Sequence, residues 1–181
     1  AAGSYANGSD GPDGLELLAK GKSARETVST LTSADRNKQR RQLGIVDTKG
    51  NSASFTGSGW HPWGGHIEKP NFCAQGNILT GKEVVDAMAS SFEQLQKQAK
   101  GGLCDWLANA LMAGQDTGGD SRGRQSAALL VVRKKGGYGG GNDRFIDLRV
   151  DDHKTPIVEL RRLLQLHKNL LKRAHANPPE G

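Results

Sequence analysis

The sequence is poor in aromatic residues and cysteine, and it lacks long apolar runs. Of its 181 residues, 5% are aromatic and two are cysteines, which do not form a Cys-x-x-Cys motif. This excludes a disulfide-rich scaffold and a zinc site of that type. No window approaches the 18 uncharged apolar residues of a membrane-spanning helix. The first residues lack the basic start and apolar core of a signal peptide, so we expect a cytoplasmic protein with no membrane partner.

Glycine, in contrast, is abundant, with 25 residues, and 35% of the chain is hydrophobic. This composition is typical of a loop-rich globular protein and not of a disordered one. The length suits one domain with a full core. We therefore expect a single domain over residues 1–181, with residues 175–181 as a flexible tail.

The net charge of +6 raises the question of nucleic-acid binding. Basic residues cluster at 35–42 and at 160–175, with few aromatic residues among them to stack on bases. A solvated basic surface explains such runs, and nucleic acid is not the expected partner. The alternative, binding through the basic helix, predicts an affinity that falls steeply with salt.

Helix and strand signals follow one another in an order that suits a layered α+β domain with antiparallel pairing. Ser23 and Glu26 have the spacing of a helix capping box. The alternation over residues 43–55 predicts a hairpin. Residues 126–134 are apolar on both faces, which predicts a central strand covered on each side. Residues 144–152 alternate, which predicts a half-buried strand.

The first candidate site lies in the polar stretch before this apolar strand. Its glycines permit positive φ angles and a close backbone approach, so we expect Asp120, Arg122 and Gln125 to be exposed at the N-terminal end of the strand. The guanidinium and carboxylate groups and the exposed amides at this position can bind an anionic or amide-bearing ligand. The alternative is an Asp–Arg clamp that only stabilises the turn.

A second candidate follows the alternating strand. Alternation places Asp147, Arg149 and Asp151 on one face, where the arginine can pair with both carboxylates. Asp151 and His153 are candidate substrate-binding residues. Asp151, Asp152 and His153 also carry metal-ligating groups, but adjacent strand residues point to opposite faces. We therefore expect no metal.

A third candidate is the segment rich in tryptophan and glycine. His61 and His66 are predicted to lie in a loop, and Gln75 and Asn77 to end a short strand that displays amide groups. A histidine general base is one interpretation. A histidine packed on tryptophan is the alternative.

Four long motifs together resemble the bacterial and archaeal DUF1028 family. They read SFTGSGWHPWGGH, AQGNILTGKEVVDAMASSFE, AGQDTGGDSRGRQSAALLVV and GGYGGGNDRFIDLRVDDHKTPIVELRRLLQLH. The resemblance runs from about Tyr5 to His167, which is nearly the whole chain. The resemblance implies an Ntn-hydrolase-like fold, a four-layer α-β-β-α sandwich of two antiparallel sheets. It also implies N-terminal strands before the segment at Tyr5, and we expect these to be missing from this chain.

The resemblance also implies a chemistry. Ntn hydrolases use an N-terminal Thr, Ser or Cys whose own amine is the base, whereas residue 1 is Ala. We therefore expect an amide hydrolase for a small amide or peptide-like substrate, with its nucleophile outside this chain and no cofactor. The alternative is a non-catalytic ligand-binding or scaffold protein on the same fold. Missing strands would leave open sheet edges, so we expect a homo-oligomer or a complementing N-terminal segment.

Overall fold

The computed structural model describes residues 6–176, with side chains up to residue 171. Two compact units can be distinguished: unit 1 is Ala1–Ser90 with Ala113–Arg122, and unit 2 is Ser91–Met112 with Gly123–Gly181. Two helices cross from one unit to the other. The single domain over 1–181 stays a prediction, and the predicted tail lies mostly outside the described residues.

Five α-helices and six β-strands make up the described chain. The helices are α1 Asp10–Ala19, α2 Ala24–Ser33, α3 Lys82–Lys97, α4 Leu103–Asp116 and α5 Pro156–Ala176. The strands are β1 Gln42–Val46, β2 Ser52–Thr56, β3 Trp63–Lys69, β4 Phe72–Leu79, β5 Ala127–Val132 and β6 Arg144–Val150. They pair as three antiparallel two-stranded sheets, β1–β2, β3–β4 and β5–β6. The chain is therefore of the α+β class. No helix within the described range is long and apolar enough to cross a membrane.

In unit 1, α2 packs on the β1–β2 hairpin. The predicted capping box starts this helix, because the Ser23 side chain accepts from the Glu26 N–H and the Glu26 carboxylate accepts from the Ser23 N–H. Ala24 and Val28 then bury against Ala53 of β2. This apolar contact covers one face of the hairpin.

The opposite face of β1–β2 lies against the β3–β4 hairpin. A Cβ atom built on Gly44 of β1 would meet Gln75 Oε1 at 2.3 Å and Cys73 Sγ at 2.8 Å, and both side chains belong to β4. Only glycine permits such a close approach. Unit 1 thus stacks α2, β1–β2 and β3–β4 in successive layers.

The prediction of a tryptophan-rich loop before β4 was wrong at its C-terminal end. Trp63–Lys69 is a strand that pairs with β4, with His66 opposite Gln75. Gly64 and Gly65 weaken the strand pattern in the sequence. Their missing side chains leave space for two tryptophan rings: the Trp60 ring lies 2.9 Å from a Cβ added to Gly64, and the Trp63 ring lies 2.4 Å from one added to Gly65.

One carboxylate of β3 covers the outer edge of β2. The Gly57 N–H donates to the Arg41 carbonyl, and the Asp47 N–H donates to the Asn51 carbonyl. Because hydrogen-bonded and non-hydrogen-bonded pairs alternate along an antiparallel ladder, the Ser54 N–H points away from β1. Glu68 Oε1 accepts from that N–H at 2.5 Å. The other oxygen, Oε2, accepts from Arg25 at 2.9 Å.

In unit 2, the β5–β6 hairpin packs by one face on α4 and α5. The core consists of Cys104, Ala108, Leu129, Val131, Ile146, Val150, Leu160 and Leu164. Along β6, Ile146 and Val150 are buried while Asp147 and Arg149 are exposed, as the alternation predicts.

The prediction that the apolar strand is covered on both faces was wrong. In β5, Leu129 and Val131 are buried, but Leu130 is 57% exposed and Val132 is 65% exposed. Apolar side chains on both faces do not distinguish a covered strand from one whose second apolar face meets water.

Candidate functional site

A polar network lies between the two sheets of unit 1, and Gln42 of β1 is its centre. This side chain is 2% exposed. Its Nε2 donates to Gly76 O at 2.8 Å, Gly65 O at 3.2 Å and Thr56 Oγ1 at 3.1 Å. Its Oε1 accepts from Asn77 Nδ2 at 2.8 Å. A buried amide with both ends bonded fixes the relative position of β1, β3 and β4.

Thr56 connects this network to a histidine. Its Oγ1 lies 2.8 Å from His66 Nδ1. Gln42 Nε2 also donates to Thr56 Oγ1, and the tautomer of the imidazole decides whether Thr56 or His66 is the donor in this pair. Thr56 is partly buried and His66 is exposed. A hydroxyl and an imidazole within hydrogen-bond distance have the geometry of a nucleophile and its general base.

The residues after Thr56 hold the hydroxyl in place. Gly57 donates to Arg41 O at 2.9 Å, and Gly59 donates to Gln39 O at 2.9 Å. A Cβ atom on Gly57 would lie 2.2 Å from Gln39 O, which is a backbone atom. The chain therefore requires glycine at the position next to Thr56.

Two of the predicted site residues belong to this region. Asn77 is part of the network, and Gln75 lies opposite His66 in the β3–β4 register. Both are half-buried and extend from β4 toward β1. They face the other sheet and do not mark an exposed strand end.

Asp120 and Arg122 form the clamp that was the alternative interpretation of their loop. Arg122 donates to Asp120 through its backbone N–H at 2.8 Å, Nε at 3.0 Å and Nη2 at 2.6 Å. This arginine holds the pKa of Asp120 below its ordinary value, against the opposing effect of burial. The loop also pairs with the end of β4, since Gly119 O accepts from Thr80 and Ile78 O accepts from Ser121.

The other three predicted residues lie in unit 2. Gln125 contributes its carbonyl, which accepts from the His153 N–H at 2.8 Å. His153 Nδ1 accepts from the Thr155 N–H at 3.0 Å at the start of α5. Asp151 is bound by Arg149 at 2.9 Å, whereas Asp147 is bound by Arg144 at 2.6 Å. The prediction that Arg149 pairs with both carboxylates was therefore wrong.

No group of three or more His, Cys, Asp or Glu side chains in the described part of the chain is arranged to hold a metal ion. A cleft of about 470 Å³ lies between α1 and α2, and one of about 360 Å³ lies between α1 and β1. Neither is lined by Thr56 or His66. The candidate site is defined by its hydrogen bonds.

Sequence reasoning missed Gln42 and Thr56. Gln42 ends a basic run and resembles a solvated residue, and Thr56 is one of several hydroxyls in a hairpin. The available signal is the alternation of β2, which places Ser52, Ser54 and Thr56 on one face. That face is polar although it is covered, which indicates a polar layer between sheets.

These hairpins and helices define an α+β protein whose candidate site lies between two facing antiparallel sheets. The model of DUF1028, described as a family of unknown function, matches residues 1–160. The chain therefore belongs to the DUF1028 family. This match does not bear out the expectation that the family's N-terminal segment is missing.

A solved structure supports this membership. The chain is similar to a DUF1028 protein from Silicibacter pomeroyi, with 29% sequence identity and a TM-score of 0.77. The similarity covers 91% of this chain and 69% of that chain. No curated protein matches.

Proposed function

We propose that the protein hydrolyses a small amide or peptide-like substrate and that Thr56 and His66 carry out the reaction. The observation that carries this proposal is the 2.8 Å distance between Thr56 Oγ1 and His66 Nδ1. It supports the proposal because a hydroxyl on β2 and an imidazole on β3 lie within hydrogen-bond distance of each other. The proposal needs no residue before Ala1.

The chemistry follows from these two groups. The Thr56 oxygen attacks the substrate carbonyl carbon while His66 takes the hydroxyl proton. His66 then gives this proton to the leaving amine as the C–N bond breaks. A water molecule, deprotonated by the same imidazole, hydrolyses the acyl-threonine and restores the hydroxyl. The Asn77 amide carries a second N–H for the oxyanion, beyond the one that it donates to Gln42.

The layer order of unit 1 supports an Ntn-hydrolase-like sandwich as the finer description of the fold. A helix covers one sheet, and that sheet faces a second sheet across the polar network. Three of the four layers of an α-β-β-α sandwich have this arrangement. Fold similarity alone is an associational argument for amide hydrolysis, so the proposal depends on the site.

Covalent labelling tests the proposal. The protein is treated with an acylating or phosphonylating electrophile, and intact mass and peptide mapping locate the adduct. We expect one adduct on Thr56, lost in Thr56→Val and retained in Thr56→Ser. His66→Gln should slow labelling by about 10²-fold to 10⁴-fold, the usual contribution of a general base.

Ser52→Ala is the matched control, because Ser52 is a hydroxyl on the same face of β2 that donates to the Lys69 carbonyl. Its labelling should equal that of the unmodified sequence, and circular dichroism checks that each variant folds. Equal labelling of Thr56→Val would contradict the proposal, as would the absence of labelling in the unmodified protein.

A non-catalytic ligand-binding protein is the second candidate. The observation that favours it is the saturated bonding of Gln42, which holds Thr56 as a fixed part of the sheet interface. This candidate predicts that small amides raise the melting temperature of the protein but that no electrophile labels Thr56.

A further inference from the structure

The tip of the β5–β6 hairpin combines positive charge with an exposed aromatic ring. Tyr138 is 98% exposed and contributes nothing to the core. Residues 133–144 hold a single carboxylate and four cations, and all of these side chains are exposed: Asp143, Arg133, Lys134, Lys135 and Arg144. Such a surface attracts an anionic polymer and offers a ring on which a base can stack.

The single carboxylate of this segment is engaged by the backbone of the turn. Asp143 Oδ1 accepts from the Lys135 N–H at 2.8 Å, and its carbonyl accepts from the Arg133 N–H at 2.8 Å. Gly139 and Gly140 have φ angles of 60° and 73°, which glycine adopts without strain. The turn is therefore closed by its own backbone and exposes its cations and its tyrosine.

The charged tip continues onto the uncovered face of the hairpin. Val132 pairs with Arg144, and Ala128 pairs with Arg149. The exposed side chains of β5 thus form an apolar stripe beside two arginines of β6. The ion pairs of these arginines with Asp147 and Asp151 are exposed and contribute little, so a phosphate can replace the carboxylate.

We propose that the β5–β6 hairpin binds single-stranded nucleic acid. Lys134, Lys135 and the two arginines of β6 contact phosphates, and a base stacks on Tyr138. The surface favours a single strand because duplex bases are already stacked, whereas an unpaired base can use the exposed ring and the apolar stripe. This activity is separate from the proposed hydrolysis, which lies in unit 1.

The expectation that nucleic acid is not a partner was based on the basic runs at 35–42 and 160–175. Those runs lack aromatic residues. The hairpin tip has an exposed ring, so that reason does not extend to it.

Fluorescence anisotropy with a labelled, mixed-sequence oligonucleotide of about 16 nucleotides tests the proposal. The full chain is titrated with DNA and RNA single strands and with the matching duplex at two salt concentrations. We expect tighter binding of the single strands. Lys134→Gln combined with Lys135→Gln should reduce the slope of log affinity against log salt by about 1.4, since each phosphate contact contributes about 0.7.

Two further variants separate stacking from charge. Tyr138→Ala should weaken binding about tenfold with an unchanged salt slope, and Tyr138→Phe should restore it. Lys97→Gln combined with Lys100→Gln removes the same charge from exposed positions at the end of α3, in the same unit. This control should bind like the unmodified protein.

Several outcomes would overturn the inference. One is the absence of binding at low salt, and another is duplex binding as tight as single-strand binding. Equal losses in the two double-lysine variants would show a general charge effect. If Tyr138→Ala binds with full affinity, no base stacks on this ring and the surface binds polyanions by charge alone.

Discussion

The facing hairpins of unit 1 and the single hairpin of unit 2 are built on opposite principles. In unit 1, the space between β1–β2 and β3–β4 is held by hydrogen bonds that converge on Gln42. In unit 2, the covered face of β5–β6 is held by aliphatic side chains around Ile146 and Leu160. Apolar burial stabilises without fixing orientation, whereas a bonded polar network fixes donors and acceptors. Candidate chemistry therefore lies in the polar layer.

The largest expected effect is in the apolar core of unit 2. Leu160 is 0% exposed, so Leu160→Ala leaves a cavity and should lower the free energy of unfolding by about 2–5 kcal/mol. Urea denaturation measures this loss. Leu166→Ala on the exposed face of the same helix is the control and should change stability by about 0.5 kcal/mol or less. Equal effects at the two positions would contradict the assignment of the core.

The next effect is in the polar layer of unit 1. Gln42→Leu keeps the approximate volume but leaves the Asn77 amide and the Gly65 and Gly76 carbonyls without their partner. The free energy of unfolding should fall by about 2–3 kcal/mol, because buried polar groups then lack hydrogen bonds. Gln94→Leu, at an exposed position of α3, should be nearly neutral. A stabilising Gln42→Leu would show that the network lies in contact with water.

Gly57 tests whether the position of Thr56 depends on the backbone contact behind it. Gly57→Ala should cost about 1–2 kcal/mol, because the added methyl overlaps the Gln39 carbonyl and the strand must shift. The rate of labelling at Thr56 should fall by a larger factor than the lost fraction of folded protein explains. Gly11→Ala, in α1 with no atom within 4 Å of the new methyl, should stabilise slightly. Unchanged labelling in Gly57→Ala would argue against a positioned nucleophile.

A smaller effect concerns the contact between α4 and α5 in unit 2. Burial acts to raise the pKa of Asp105, but bonds from Lys168 and the Gly102 N–H outweigh it and lower the pKa. The carboxylate therefore stabilises the fold above the unfolded pKa of about 3.9, and this stability is lost as pH falls through the lower folded pKa. Asp105→Asn should cost about 1 kcal/mol at neutral pH.

Urea denaturation from pH 7 down to about pH 2 checks this prediction. The difference between the unmodified protein and Asp105→Asn should shrink on acidification. A difference that stays constant with pH would assign the effect to the lost hydrogen bonds and not to the charge.

The smallest expected effect is on the uncovered face of β5. Leu130→Ser should change the free energy of unfolding by about 0.5 kcal/mol or less if the face meets water. A loss comparable with that of Leu160→Ala would show that the face is covered. The β5–β6 hairpin of unit 2 would then be covered on both faces, and it would no longer differ in this respect from the facing hairpins of unit 1.

The same variant bears on the predicted homo-oligomer, which stays a prediction. If copies of the chain associate through the apolar stripe, Leu130→Ser should reduce the sedimentation coefficient at a fixed protein concentration. A monomer for both proteins would contradict self-association through this face.

Local signals predicted several elements correctly. The Ser23–Glu26 spacing identifies the start of α2, and the alternation of residues 43–55 identifies the β1–β2 hairpin. Each depends on residues close in sequence, whose side chains determine the local backbone.

The errors concern properties that the tertiary structure decides. Gly64 and Gly65 make β3 difficult to predict from the sequence, because tryptophan rings occupy the space where their side chains would be. The apolar pattern of β5 does not reveal whether its second face is covered. The pairing of Thr56 with His66 joins different hairpins, so no spacing in the sequence predicts it. The membership of Asn77 in the candidate site was expected, whereas its partner Gln42 was not.

The Glu68 carboxylate of β3, which covers the edge of β2, has a consequence for solubility. An open strand edge is a template on which another chain can add, and this is one route to aggregation. By occupying the Ser54 N–H and binding Arg25, Glu68 places a charge where an incoming strand would have to pair. A chain with glutamine at this position would keep a hydrogen-bonding group there but lose the charge that repels ordered self-assembly.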